Sequence, residues 1–586
     1  MKVFYRIIFC LLTFSLATGH RLLATEISVQ QTEDLEFNLD VDSSTITLPK
    51  VFRPALDLSG RGFHQQANWP QNLAAKEVLD SWQQDIGFGS IYRLQYNLWE
   101  INQLSKDPAT QKELLDNYDS LLKKINDAGG IVILDIFGTP FGLSKGLDKR
   151  VPPTDLKKFK ELIKETIREL SCKKRYSIWY EVWNAPDLDD FFLGRKQDYL
   201  NLYQQVAEAA RELEAETKIH IPVGGPSTSW WFQGTEDNNI MTPEKGLLYE
   251  LIKFCYHYRL PLDFISWHAY STDPRTEDWE TKYKKNTVSL IRDWLSYFGF
   301  NRNTPLVVDE WNFDRQANIL PERKEQSYIT ASFIPARIEN MYRAGLDYQV
   351  YFCLEDFQDN KEAVARNVGI FSFEPGQSVY KGAPKAIYNA FRMLGGLGNQ
   401  MYQGKFKDEF VGIIATKTAD YTAFLVYNYI DPEIATNFLS KEIAAFNDAE
   451  RKFLLNLIKQ EKLNEILSGK TDISKLRASN KIKSALKKAA ELDSQAKKFQ
   501  AQERTLKIGL KNLKGVYIYQ RYTIDPSCSL DCVFAPSEEK EITADDLYQE
   551  TLVLKPYSTH LLIWKPKPVE PIVSDTPKVT DAEQKE

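Results

Sequence analysis

Positive charge is not in excess in this sequence. Its 586 residues carry a net charge of -6 and a pI near 5.8. The chain as a whole therefore shows no footprint for nucleic acid or for an acidic membrane surface. No Cys/His spacing resembles a zinc site, so no metal is expected. No Gly-rich phosphate loop follows a strand, which weighs against a doubly wound open sheet; no cofactor is expected. Beyond the N-terminal leader no apolar run is long enough to span a bilayer, which leaves no membrane anchor. Cysteine is sparse, at 6 in the chain. Cys10 lies inside an apolar run and not after a small-residue cleavage box, so a lipid anchor is not indicated. Without the leader, Cys172, Cys255, Cys353, Cys528 and Cys532 remain. An odd number leaves at least one thiol free or paired with another chain. Cys528 and Cys532 are close enough in sequence to bridge in an oxidising compartment. The other three suit the core.

The leader itself is clear. Lys2 and Arg6 precede Ile7-Ile8-Phe9-Cys10-Leu11-Leu12, and small residues follow at Ala17, Gly19 and Ala24. This is the pattern of a signal peptide over residues 1–24, with a buried N-terminal helix as the alternative. A secreted or periplasmic protein is expected. Aromatic residues make up 12% of the chain. Their flat faces suit sugar rings, although packing accounts for most of them.

The length calls for two or three domains. From residue 51 to 397, short apolar runs alternate with amphipathic helical stretches. The runs are Ala55-Leu56-Asp57-Leu58, Ser90-Ile91-Tyr92-Arg93-Leu94, Ile131-Val132-Ile133-Leu134-Asp135, Ile178-Trp179-Tyr180-Glu181-Val182, Ile221-Pro222-Val223-Gly224-Gly225, Phe264-Ile265-Ser266-Trp267-His268, Leu306-Val307-Val308-Asp309-Glu310 and Tyr348-Gln349-Val350-Tyr351-Phe352. Parallel strands need crossover helices, so this rhythm predicts an α/β fold, a (β/α)8 TIM barrel. A doubly wound open sheet is the rival. From 398 to 565 several runs alternate apolar and polar residues, which predicts a β-sandwich. Residues 25–50 can add one strand to it. A Lys-, Glu-, Ala- and Leu-rich block at about 440–503 interrupts the sandwich with helical spacing. Its Lys runs read as a solvated helical hairpin, or as an interaction surface for an unknown partner. The tail, 566–586, is expected to be disordered.

In a parallel barrel the chemistry sits where the strands end. Asp135 ends the third strand. Glu181, Trp183 and Asn184 end the fourth. His268 and Tyr270 end the sixth. Asp309, Glu310, Trp311 and Asn312 end the seventh, and Glu355 and Asp356 follow the eighth. Any one of these has a structural explanation. Their convergence on one rim argues for a site.

The segment Tyr180-Glu181-Val182-Trp183-Asn184-Ala185-Pro186-Asp187-Leu188 resembles the Trp-Asn-Glu-Pro segment of clan A glycoside hydrolases, in the form of family 39. That family includes β-xylosidases and α-L-iduronidases. The resemblance continues through Val223-Gly224-Gly225-Pro226, Phe264-Ile265-Ser266-Trp267-His268-Ala269-Tyr270, Val308-Asp309-Glu310-Trp311-Asn312 and Gly369-Ile370-Phe371. It ends near Lys385-Ala386-Ile387-Tyr388-Asn389-Ala390-Phe391, and the helical block lies outside it. It implies retaining hydrolysis of O-glycosidic bonds in a poly- or oligosaccharide. Two glutamates about 5–5.5 Å apart do this work, one attacking the anomeric carbon and one protonating the leaving oxygen. By the resemblance Glu310 is the nucleophile, and Ala185 stands at the acid/base position.

Alanine has no proton to give, and losing acid–base help forfeits about 10²–10⁴-fold in rate. Three explanations stand. A substitute carboxylate can serve: Glu181 on the same strand, or Asp187, Asp189 or Asp190 on the following loop. The protein can be a catalytically inactive, glycan-binding pseudo-hydrolase. Or the alanine was introduced to trap a substrate, which the intact leader and the lack of a tag argue against. Asn184 is expected to contact the hydroxyl beside the anomeric carbon. Tyr270 and His268 are expected to orient Glu310 and keep it ionised. Arg93 does likewise or serves a structural ion pair. Trp311 is expected to floor the sugar site, with core packing as the alternative.

Overall fold

The computed structural model describes residues 34–568 except 61–72, 104–106, 141, 145, 147, 236–239, 314–326, 360–363, 367, 373–381, 405 and 460–461. The expected leader and most of the expected tail lie outside the described residues.

After two short strands, β1 (Leu35–Asp40) and β2 (Thr45–Thr47), eight parallel strands close into a barrel. They are β3 (Leu56–Asp57), β4 (Ile91–Asn97), β5 (Ile131–Phe137), β6 (Ile178–Val182), β7 (Val223–Thr228), β8 (Phe264–Tyr270), β9 (Leu306–Asn312) and β10 (Tyr348–Tyr351). Side chains alternate along each strand, so every second residue points outward. Tyr92, Leu94, Val132, Leu134, Tyr180, Val182, Ile265 and Trp267 pack into the large core shared with the surrounding helices. The helices supply the matching stripe. In Leu156–Ile167, Phe159, Ile163 and Ile167 recur every four residues and are buried, and Asp155 caps the helix by accepting from Lys158 N at 3.0 Å.

The inward residues form layers. At the bottom Ala55, Ile91, Ile133, Phe264, Val307 and Val350 make an apolar plug. Above it the same parity brings Asp57, Arg93, Asp135, Glu181, Ser266 and Asp309, all buried. An apolar floor beneath a charged layer means that the barrel is sealed at one end and chemically equipped at the other.

The second unit is a single eight-stranded sheet. Its strands include β13 (Gln400–Tyr402), β14 (Val411–Lys417), β15 (Thr422–Asn428), β16 (Arg504–Ile524), β17 (Glu538–Leu554) and β18 (Thr559–Pro566). The short pair β11 (Phe357–Asp359) and β12 (Val364–Arg366) stands apart. The sheet doubles back on itself. β1 pairs with the first half of β16 and β18 with its second half. Phe37 of β1 then meets Phe424 of β15 at 5.7 Å, across the two layers. Between β15 and β16 come helices Ile434–Glu442, Asp448–Lys459, Lys462–Leu467 and Asn480–Gln500, with a core of their own that includes Leu439, Leu454, Ile466 and Leu486. Cys528 and Cys532 are bonded. Cys172, Cys255 and Cys353 are free thiols. Among the described residues no helix is long and apolar enough to cross a membrane.

Candidate active site

The seventh barrel strand carries an irregularity that decides the site. Trp267 of β8 pairs with Val308, but His268 pairs with Glu310, so Asp309 is an extra residue. On the other side, Gln349 pairs with Val308 and Tyr351 with Trp311. Such a bulge re-aims side chains beside active sites. Here it lets Asp309 and Glu310, adjacent in sequence, both face the barrel interior. A second bulge on β7 leaves Ser227 unpaired against β8, and its hydroxyl also faces inward.

Arg93 is the hub. Its guanidinium lies 2.8 Å from Glu181, 3.2 Å from Asp57, 3.3 Å from Glu310, 3.5 Å from Asp135 and 3.6 Å from Asp309. It also donates to Asn184 Oδ1 at 2.9 Å and to Ser227 Oγ at 3.1 Å. One cation cannot neutralise five carboxylates, so protons make up the difference. Burial, with the neighbouring Glu181 charge, pushes Asp309 well up, so it holds a proton. Burial, opposed by Arg93, pushes Asp135 up to about 8 and Asp57 up to about 6. For Glu181, burial pushes upward, but Arg93, Asp309 and Ser266 outweigh it and hold the carboxyl below its usual value.

Glu310 stands at the top of this layer. It is the least buried of the five carboxylates, with 12% of its side chain exposed. Tyr270 donates its phenol O–H to one carboxylate oxygen. Arg93 donates to the other, and His268 Nε2 lies 3.4 Å from that same oxygen. His268 Nε2 is also 2.9 Å from Ser227 Oγ. Ser227 donates in turn to Asp309 at 2.6 Å. The expected partners Arg93, His268 and Tyr270 thus meet on one carboxylate.

The exit of the fourth strand is a strained turn. Trp183 has φ 70° and Ala185 φ 43°, the left-handed region that side-chain-bearing residues avoid. Ala185 N donates to Ser227 O at 3.0 Å, and the residue is buried. Asn184, between them, reaches Arg93, which links this turn to Glu310 through one guanidinium.

Three expected residues take other positions. Trp311 does not floor a sugar site. The bulge at Asp309 flips the parity of the strand, so Trp311 points outward. It is fully buried, bonds Gln349 at 2.8 Å and packs edge-on against Tyr351 at 5.0 Å. Glu181 is not a spare acid. It is fully buried, and its oxygens are engaged by Arg93 and by Ser266 at 2.6 Å. Held ionised there, it has no proton to donate. Asp187 is clamped across the mouth, accepting from Ser229 N at 2.9 Å and from the Ser229 hydroxyl. It ties the loop after strand four to the loop after strand five. Asp189 and Asp190 remain exposed on that loop.

Sequence reasoning missed Asp57, Ser227 and Ser266. Asp57 left a signal: it is a lone charge inside an apolar run, and such a residue is buried only with a partner. Ser227 left none, because its inward aim depends on a bulge. Also unforeseen is how the helical block meets the mouth. Two residues past Tyr270, Thr272 accepts from Tyr429 at 2.5 Å and from Asn437 at 2.8 Å. Asp273 pairs with Lys441 at 2.6 Å and accepts from Trp279 Nε1 at 2.9 Å. The first helix of the insertion therefore braces the loop that follows the Tyr270 strand.

This geometry can be set beside known proteins. The model of Glycosyl hydrolases family 39 matches residues 144–458. The chain belongs to this family. The β-xylosidase of Geobacillus stearothermophilus is 28% identical over 267 residues, covering 43% of this chain and 48% of that protein. The β-xylosidase of Caldicellulosiruptor saccharolyticus is 25% identical over 316 residues, covering 50% and 58%. The chain thus spans about half the length of the curated relatives it matches. Among solved structures, a glucosidase from Croceicoccus marinus superposes with a TM-score of 0.60 at 15% identity, covering 92% of this chain and 100% of that one. A GH39 enzyme from Xanthomonas axonopodis pv. citri gives 0.60 at 16%, covering 92% and 98%. These structures share the barrel and the sheet domain of this family 39 chain, and at such identities the likeness is one of fold.

Proposed function

We propose that this family 39 protein is a secreted or periplasmic glycosidase of the retaining type, with Glu310 as nucleophile and an altered general acid/base at Ala185. One observation carries the reading: Tyr270, Arg93 and His268 converge on the one carboxylate of the cluster that reaches the mouth. A carboxylate gripped by Tyr270 and Arg93 is held in position to attack an anomeric carbon placed above it. Asn184 gives its oxygen to Arg93, which leaves its amide N–H₂ to donate to the sugar hydroxyl beside that carbon, a contact that tightens in the transition state. The leaving oxygen meets no acid from Ala185, Glu181 or Asp187. Sugars with good leaving groups should therefore react, and poor leaving groups should stall. The names of the curated relatives make β-xylosides the first substrates to try.

A second reading, a catalytically inactive barrel that binds a glycan, draws on the same turn. Two of the candidate substitutes, Glu181 and Asp187, are engaged elsewhere, and the Ala185 methyl is buried. One assay separates the two. Activated aryl glycosides, β-xylosides first, are incubated with and without azide, which needs no general base. Aryl release that azide accelerates supports Glu310 as nucleophile. Absence of release on every sugar, with and without azide, and with Ala185→Glu equally silent, supports the binding protein.

A further inference from the structure

The helical insertion concentrates a charge that the rest of the chain does not have. Between residues 470 and 488 lie Lys470, Lys475, Arg477, Lys481, Lys483, Lys487 and Lys488, against the single acid Asp472. That is seven cations to one anion in a protein of net charge -6. Six of the seven are exposed, and Lys483 is half-buried. They lie on the turn before helix Asn480–Gln500 and on its first two and a half turns.

Local structure accounts for only part of this cluster: Lys481 donates to Ala445 O and lies over the Phe446 ring, and Lys483 donates to Ser474 O at 2.7 Å. Lys483 and Lys487 stand four apart on one helix face, a like-charge spacing that destabilises a helix. Lys481 and Lys483 occupy its first turn, where the macrodipole is positive and cations are disfavoured. Nearby acids answer little of the charge. Asp472 is 3.7 Å from Lys475, and Glu491 is 3.7 Å from Lys488. Glu450 accepts from Ser479 at 2.6 Å and also feels the charge of Lys481, and Glu465 faces Thr471. Lys470, Arg477 and Lys487 have no carboxylate within 4 Å among the described residues. The far end of the same helix follows the ordinary rule. There Lys497 pairs with Asp493 at 2.6 Å, and Lys497 and Lys498 sit at the negative end of the dipole. The cations gathered at the near end thus cost the helix stability, and an anionic partner would recover that cost.

We infer that this face of the insertion is a non-catalytic binding surface for an acidic polysaccharide, a chain bearing uronate carboxylates. The choice of a glycan over another polyanion rests on the glycosidase reading and on where the insertion is rooted. Its first helix is anchored by Asn437 and Lys441 to the loop beside the barrel mouth. A polymer held on the insertion would therefore stay tethered to the domain that carries the sugar site.

Affinity electrophoresis of the full chain through gels containing polygalacturonate tests this, with gels of neutral polysaccharide as control. The wild type should be retarded by polygalacturonate alone, and its apparent affinity should fall about ten-fold or more between 50 and 300 mM salt, since screening weakens multi-charge contacts. The quadruple variant K475E/R477E/K487E/K488E should run unretarded with an unchanged circular dichroism spectrum. A milder Lys487→Gln/Lys488→Gln variant should fall between the two. No retardation of the wild type overturns the proposal, and so does retardation that survives the quadruple variant. Flotation with anionic phospholipid vesicles without retardation by polygalacturonate also overturns it and assigns the surface to lipid. Aryl-glycoside turnover on the same preparations reports the barrel separately. Retardation without turnover would leave the surface standing and remove the glycosidase reading.

Discussion

Replacing Arg93 by methionine keeps the apolar stem of the side chain and deletes the cation at the centre of the charged layer. In the wild type that cation lies within 3.6 Å of five carboxylates, four of them fully buried. Asp135, pushed up to about 8, is largely protonated near neutrality, and burial pushes Asp309 in the same direction, so their loss of a partner costs less. Glu181 is ionised and fully buried, and it loses its 2.8 Å partner outright. Breaking a buried pair in this way costs about 3–5 kcal/mol. At about 2.1 cal/mol/K per residue over roughly 340 barrel residues, this lowers the melting temperature by about 4–7 °C. The pH dependence is sharper still. In the wild type the Glu181 pKa is depressed, so its stabilisation is present above the unfolded value of 4.5 and is lost as pH falls through the lower folded value. In Arg93→Met only the hydrogen bonds from Asp309 and Ser266 still oppose burial, and the Glu181 pKa rises. The variant then loses stability as pH rises above 4.5. The gap between the two proteins should be widest at pH 7 and narrow toward pH 4.5, where the variant's loss vanishes and only the wild-type contribution remains. Denaturant unfolding at four pH values between 4.5 and 7.5 measures it. A gap below about 1 kcal/mol, the size for a solvated pair, or one that widens on acidification, refutes the account of the hub.

Trp311 and Asp57 give two further predictions. Trp311→Ala should cost about 3–5 kcal/mol of stability, as a fully buried aromatic does. If Trp311 instead lined the sugar site, stability would hold while affinity for an aryl glycoside fell. Asp57 is buried with its pKa raised from 3.8 to about 6. Its folded form binds the proton more tightly than its unfolded form, so it makes stability decline as pH rises from 3.8 to 6. The decline amounts to about 3 kcal/mol at 1.36 kcal/mol per unit. Asp57→Asn should flatten the stability–pH curve across that window, and an unchanged slope would place the titration elsewhere.

Much of the architecture could be read from local pattern. Apolar runs such as Ile131-Val132-Ile133-Leu134 separated by amphipathic helices can form parallel strands only with crossovers, and eight of them in this length predict a barrel. The helical spacing of the block near 440–503 is matched by helices between β15 and β16, the first of which begins at Ile434. The site was legible wherever parity held. Arg93, Glu181 and His268 point inward because strands alternate.

By itself the sequence determined which residues stand at the strand ends, and that alanine follows Asn184 where the family resemblance leads one to look for glutamate. Periodicity and short-range chemistry are enough for that. The tertiary structure alone decided that Glu310 faces the mouth and Trp311 the core. A single extra residue in one strand reverses every side chain beyond it, and the bulge exists through pairing with neighbours far away in the chain. It also decided that Glu181 is a fixed anion, because burial, a shared arginine and a neighbouring proton act together only when five strands bring their side chains to one level.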